Sequence, residues 1–206
     1  MSTEKTKVNM DPKYIIKLTV TLFVTCVIVA GLLGGVNAIT KDKIAAINWE
    51  KTVAAMKAVV ADPDATTFSD ALPVTDEMAA AASAYGSLDS IYEVQVDGAA
   101  AGYAIKVVAS GSQGSIEMMV GVDAESAVTG VSIVSNSETA GIGSKVMSNE
   151  PTAAGVGVLT QFEGKSPADG ELTVGKGIDA ITGATVSSKG VTAGVNAALA
   201  VAAVMG

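Results

Sequence analysis

The sequence predicts an α+β fold, in which one membrane-crossing helix is followed by an antiparallel sheet and a long C-terminal helix. Three observations carry this. Residues 18–40 hold no charged side chain, and a helix of that length, at ~1.5 Å per residue, reaches ~35 Å, enough to cross a bilayer core. Four short runs of alternating β-formers, at 91–96, 102–109, 115–123 and 128–135, are divided by turn signals at Asp97-Gly98, 111–114 and 123–126. Residues 186–204 are alanine-rich and free of proline, as a helix requires.

Taken in order, Lys5, Lys7, Lys13 and Lys17 precede the apolar run, while Lys41 and Lys43 follow it and Lys51 and Lys57 lie further on. This balance points to residues 1–13 on the cytoplasmic side, a span over 14–40 and the remainder outside. Val36-Asn37-Ala38 also has the small-residue spacing of a signal-peptide cleavage site. The apolar run, however, is longer than the ~7–15 residues of a usual signal core and continues without a helix breaker into Lys41-Asp42-Lys43. Ile44, Ile47, Ala54, Met56, Val59 and Val60 then recur at roughly helical spacing until Asp62-Pro63-Asp64, predicting a juxtamembrane helix over 41–62 that carries Trp49. The extracytoplasmic domain occupies 63–206. Within it, residues 63–90 read as a loop with a short helix, the four strands form a meander, and residues 151–162 predict a further helix. The last helix holds Asn196 and several hydroxyl residues, so it is expected to pack on the sheet rather than form a second span.

Composition narrows the chemistry. A chain of 206 residues has room for one domain plus an anchor. All 13 basic residues are lysines and the net charge is -8, so the arginine forks and positive field that nucleic acid demands are missing. There is no histidine, and the single cysteine, Cys26, lies inside the apolar run. Zinc, protein-ligated haem and iron–sulfur clusters rely on those residues, so no metal site is predicted and a redox carrier here would be organic.

The most specific stretch is Asp179-Ala180-Ile181-Thr182-Gly183-Ala184-Thr185, which leads into the final helix. It reads as a small-residue turn that delivers a hydroxyl to a helix start, where free N–H groups and the helix dipole favour a phosphate. Gly183 and Ala184 leave room for a bulky group near the backbone. The plainer reading is an ordinary helix entrance with Thr185 or a neighbouring serine as its cap. A second glycine-bearing loop, Ser137-Glu138-Thr139-Ala140-Gly141-Ile142-Gly143, follows the fourth strand.

The first stretch resembles the covalent FMN attachment motif, Asp-x-x-Ser/Thr-Gly-Ala-Thr, found in the G subunit of the Rnf complex and in the C subunit of the sodium-pumping NADH:quinone reductase. The resemblance implies that Thr185 is esterified to the FMN phosphate by a flavin transferase using FAD, with Asp179 at the acidic position that the transferase needs and Thr182 at the Ser/Thr position. The second loop resembles the family's Glu-Thr-Pro-Gly-Leu-Gly segment, with Ala140 and Ile142 in place of the proline and leucine; this implies that Glu138, Thr139, Gly141 and Ile142 lie against the flavin. Lys176 and Lys189 flank the attachment segment and are candidate counter-charges for the flavin. Gly102-Tyr103, the 111–114 turn and residues 120–123 also fall where the family has equivalent patterns, so the resemblance covers roughly residues 91–200. It implies an FMN-binding domain and an electron-carrying component of a membrane-bound Rnf-type ferredoxin:NAD oxidoreductase complex that exports sodium or protons. Iron–sulfur and flavin subunits are the implied partners, in the inner or cytoplasmic membrane, and no independent substrate site is expected. Other readings of the same residues are the quinone-reductase component or a membrane-tethered flavin sensor. A pilin-like surface protein is a further alternative, but the prepilin glycine-phenylalanine cleavage pattern is missing.

Overall fold

The computed structural model describes residues 11–205, so the first ten residues, with Lys5 and Lys7, lie outside the described part. The chain divides after Trp49 into two units. Helix α1, Pro12–Ala58, begins in the first and ends in the second. Its start is set by Asp11, whose Oδ1 accepts the Lys13 N–H at 3.0 Å, with Pro12 in the first helical position, where a missing N–H costs nothing. Up to Trp49 the side chains are exposed almost throughout, including Leu22, Phe23, Leu32 and Leu33. The hydroxyls of Thr19, Thr21, Thr25 and Thr40 donate to carbonyls one turn back at 2.8–3.0 Å, which hides their polarity within the helix. This helix is long and apolar enough to cross a membrane.

The second unit is built on a five-stranded antiparallel meander in the order β1-β2-β3-β4-β5. The strands are β1 Thr66–Phe68, β2 Ser87–Val96, β3 Ala99–Ser110, β4 Ser115–Asp123 and β5 Val128–Asn136. Asp97 and Gly98, at φ 52° and 80°, make the tight turn between β2 and β3, a backbone that twists with the strands it joins. Between β4 and β5 the Asp123 carboxylate accepts the N–H groups of Glu125 (3.0 Å) and Ala127 (2.8 Å).

Strand alternation divides the core in two. Ile91, Ile105, Val107, Met118 and Val120 belong to a cluster with Val191, Val195, Ala198 and Leu199 of α4, Thr185–Met205. Tyr92, Val94, Ala104, Met119 and Val134 form a second cluster with Ala55, Met56 and Val59 from the end of α1. The sheet is therefore covered by a helix on one face and by a helix end on the other. Gly121 makes the second contact possible, because a Cβ there would lie 2.5 Å from the Val59 carbonyl oxygen. The Thr129 hydroxyl donates to the same carbonyl at 2.6 Å, satisfying a helix-end acceptor.

Short elements complete the unit. Helix α2, Asp76–Ala82, is capped by Thr75, whose hydroxyl accepts the Met78 N–H at 3.3 Å. Helix α3, Gly143–Met147, follows the sheet, and β6 Thr173–Val174 pairs with β7 Gly177–Ile178 ahead of α4.

The α+β expectation, the three hairpins and a last helix packed on the sheet all hold. Three details differ. The helix expected to run to residue 62 stops at Ala58. The stretch 63–90 contains a strand, β1, besides its short helix. The helix expected over 151–162 is replaced by an antiparallel bridge between Pro151 and Gly157 and a single 3-10 turn, Thr160–Phe162. Gly155, at φ 83°, and the Asn149 side chain, which accepts the Leu159 N–H at 2.8 Å, hold that backbone away from a helical path.

Gly121→Ala is expected to destabilise the domain by about 1–3 kcal/mol, because its methyl meets backbone that cannot give. Denaturant melts should show a lower midpoint, whereas Gly98→Ala, where no atom lies within 4 Å, suffers only the strain of its positive φ.

Candidate functional site

Two segments that are remote in sequence meet at the start of α4. The first is the turn that delivers Thr185. The Ala184 N–H donates to the Ile181 carbonyl at 2.9 Å, and Gly183, at φ 85°, occupies the left-handed position that this turn requires. Ile181 and Ala184 are buried and anchor the turn, while Thr182, Gly183 and Thr185 are exposed.

Helix α4 begins on an unusual cap. Its capping residue is Ala184, whose carbonyl accepts the Ser188 N–H at 2.9 Å and the Ser188 hydroxyl at 3.0 Å. Alanine has no side-chain acceptor, and caps of that kind are about 1 kcal/mol poorer than serine or aspartate. The N–H groups of Thr185, Val186 and Ser187 consequently have no acceptor among the described residues. They sit at the positive end of a helix of 21 residues, beside the exposed Thr185 side chain.

The second segment is the loop after β5. Gly141, at φ 77°, donates its N–H to the Ser144 hydroxyl at 2.8 Å, and the Thr139 carbonyl accepts from Ile142 and Ser144, both at 3.2 Å. This curls the loop so that Ile142 stands half exposed, at 51%.

Glu138 joins the two. Its Oε1 accepts the N–H groups of Ser112 (2.7 Å) and Gln113 (3.2 Å) in the β3–β4 turn, and its Oε2 accepts the hydroxyl of Ser187 in the first turn of α4. Partial burial works against ionisation, but the bonds from Ser187, Gln113 and Ser112 outweigh it and hold the carboxyl below the ordinary 4.5.

Between the segments lies a groove of about 160 Å³ lined by Ser112, Glu138, Thr139, Ile142, Gly143, Gly183, Ala184, Thr185, Val186 and Ser187. Six of the sequence-derived candidates, Glu138, Thr139, Ile142, Gly183, Ala184 and Thr185, are thus brought together. Gly141, Asp179, Thr182 and Lys176 are not among the lining residues. Asp179 is instead held by its backbone: its N–H donates to Gln161 Oε1 at 2.6 Å and its carbonyl accepts Gln161 Nε2 at 3.1 Å. Its carboxylate is left in solvent. Lys176 lies in the turn after β6, and Lys189, one helical turn beyond Thr185, lines a different cavity with Glu171 and Thr192. Ser112, Ser187 and Gln161 were missed, since serines and a glutamine carry no local pattern that marks them.

Residues 111–200 match the model of the FMN-binding domain. Over these residues the chain is similar to the FMN-binding domain family. The G subunit of the Na(+)-translocating ferredoxin:NAD(+) oxidoreductase complex of Acetobacterium woodii is 35% identical over 139 residues, which cover 65% of this chain and 66% of that relative. The matched segment of the domain begins at the β3–β4 turn and runs through β4, β5 and most of α4, so it contains both halves of the groove.

The residues of the FMN-binding domain suit the nucleotide. Three unpaired N–H groups at a helix start match a phosphate. Sites for drug-sized ligands usually enclose about 300–1,000 Å³, so a groove of 160 Å³ has room for only one end of a molecule the size of FMN. There, Ile142 and Val186 offer an apolar seat; at 51% and 57% they are the two most exposed large apolar side chains described in the second unit.

Because the Glu138 carboxyl is held below its ordinary value in the folded state, the stability it adds is fully present above pH 4.5 and is lost as pH falls through the depressed value. Glu138→Gln should cost about 1–2 kcal/mol at pH 7, since bonds to a charged acceptor become bonds to a neutral one. In melts from pH 7 downward, the gap between the native protein and this variant is expected to close only below pH 4.5.

Proposed function

We propose that Thr185 carries FMN through a phosphoester and that the chain serves as a membrane-anchored electron carrier in an Rnf-type ferredoxin:NAD oxidoreductase complex. The observation that carries this reading is the start of α4, where an exposed threonine stands beside three N–H groups that find no acceptor among the described residues. Attachment by a flavin transferase conserves atoms: the Thr185 oxygen loses its proton and takes the FMN portion of FAD, and AMP departs. Asp179, with its backbone clamped by Gln161 and its carboxylate in water, is presented for the transferase to recognise.

When bound, FMN would supply the one-electron chemistry. The residues hold and shape. The first turn of α4 receives the phosphate, Gly183 and Ala184 leave space beside the backbone, Ile142 and Val186 seat the ring, and Glu138 fixes the two halves of the groove. Gly141 and Thr139 keep the loop in place; Lys176, outside the groove, is a weaker candidate for a counter-charge.

The similarity to the Acetobacterium relative supports a place among iron–sulfur and flavin subunits of a complex that couples electron flow to sodium or proton export. We place the span at 14–40, the N-terminus in the cytoplasm and the FMN-binding domain outside, in the inner or cytoplasmic membrane. No acid or base interrupts residues 18–40, so the ion path belongs to the partners.

Mass spectrometry of the protein produced together with a flavin transferase tests the reading. The peptide containing Thr185 should carry the mass of FMN and fluoresce on a denaturing gel; an unmodified peptide from such a sample would sink the proposal. Thr185→Val should fold with unchanged stability and remain colourless, and covalent flavin retained at full stoichiometry in that variant would move the site elsewhere.

A further inference from the structure

We infer that Glu138 is a positioning residue for the flavin, acting through its bonds to Ser187 and the β3–β4 turn, and this rests on the reading of Thr185 as the flavin-bearing residue. Both oxygens of its carboxylate are already engaged. Oε1 takes two N–H groups of the β3–β4 turn, Ser112 at 2.7 Å and Gln113 at 3.2 Å, and Oε2 takes the Ser187 hydroxyl. Such charge-assisted bonds are roughly twice as strong as neutral ones, so the carboxylate ties the hairpin turn to the helix start that carries Thr185.

The surrounding backbone is cut to fit this carboxylate. A Cβ on Gly111 would collide with Oε1, and a Cβ on Gly143 would collide with Oε2 and reach the Ser187 hydroxyl oxygen at 2.8 Å. Two glycines from different elements therefore clear the space that one side chain fills. Ser187 itself is buried, at 2% exposure, although it sits in the first turn of a helix whose neighbours Thr185 and Val186 are exposed. The helix start is thus oriented about its axis: Ser187 turns inward onto Glu138 while Thr185 and Val186 face out.

Two consequences separate this role from a purely structural one. The clasp sets how firmly the ring rests between Ile142 and Val186, and its fixed negative charge beside the groove disfavours the extra charge of reduced flavin. Removing the charge while keeping the shape should raise the flavin potential. Removing the side chain should also free the ring.

The test uses the full-length protein carrying flavin, with Glu138→Gln, Glu138→Ala and Ser187→Ala compared with the native chain. Covalent flavin is first confirmed by mass in each. Glu138→Gln is expected to keep the visible circular dichroism of the bound flavin while its one-electron equilibrium shifts toward the reduced form by up to tenfold, about 59 mV. Glu138→Ala is expected to lose most of that dichroism and to show lower flavin fluorescence anisotropy. Ser187→Ala, which keeps the charge and removes one arm, should lose part of the dichroism with little change in potential, and it serves if Glu138→Ala fails to fold. Native dichroism and native potential in both Glu138→Gln and Ser187→Ala would overturn the inference. Absence of flavin from the native protein would instead overturn the reading of Thr185 and take this inference with it.

Discussion

The position of α4 on the sheet governs the rest of the domain, and that position depends on how closely the two backbones approach. At Gly190 a Cβ would lie 2.5 Å from the Ser110 carbonyl oxygen, and at Gly194 it would meet the end of the Met118 side chain at the same distance. Larger residues would lift the helix off the strands and open the cluster in which Val191, Val195 and Leu199 pack on Ile105, Val107 and Met118. Because the helix lies so low, its first turn comes to rest beside the β3–β4 hairpin. Asn196, near the middle of the helix, holds it to the neighbouring chain, exchanging two hydrogen bonds with the backbone of Leu172, at 3.0 Å to the N–H and 2.9 Å to the carbonyl.

The electrostatics of the groove follow from the same placement. Unsatisfied donors at a helix start are tolerable only where water or a ligand reaches them, and Ala184 leaves three of them open. A serine or aspartate at that position would improve the helix and consume a donor. The domain gives up some local stability to keep a charge-receptive surface beside Thr185. Glu138 lines the same groove, and its carboxylate oxygens are turned onto their own donors, the Ser112 and Gln113 N–H groups and the Ser187 hydroxyl.

Much of the architecture was legible because it is written locally. The Asp97-Gly98 turn, the alternation along β3 and β4 and the unbroken α4 each arise from neighbouring residues, and the attachment turn is a contiguous run. What escaped depends on distant pairing. Strand β1 is three residues long and exists because Thr66, Thr67 and Phe68 add to Val96, Gln95 and Val94 of β2. The backbone near 151–162 has apolar content suited to a helix but is organised around the Asn149 amide and by Gln161, which reaches Asp179. The bond between Ser187 and Glu138 joins residues 49 positions apart; the loop motif marks Glu138, but nothing local marks Ser187 as its partner. Motif resemblance likewise marked Asp179, Thr182 and Gly141, and position beside the turn marked Lys176, without saying that they stand outside the groove.

The outward presentation of Thr185 bears on the order of events in biogenesis. Its side chain lies at the surface of the completed domain, on a turn held from beneath by Ile181 and Ala184, and no part of the core has to open for another enzyme to reach it. On the reading proposed for Thr185, loading can be the last step of maturation, performed on a domain that has already folded. Under that proposal, a cofactor joined to the polypeptide cannot be diluted away.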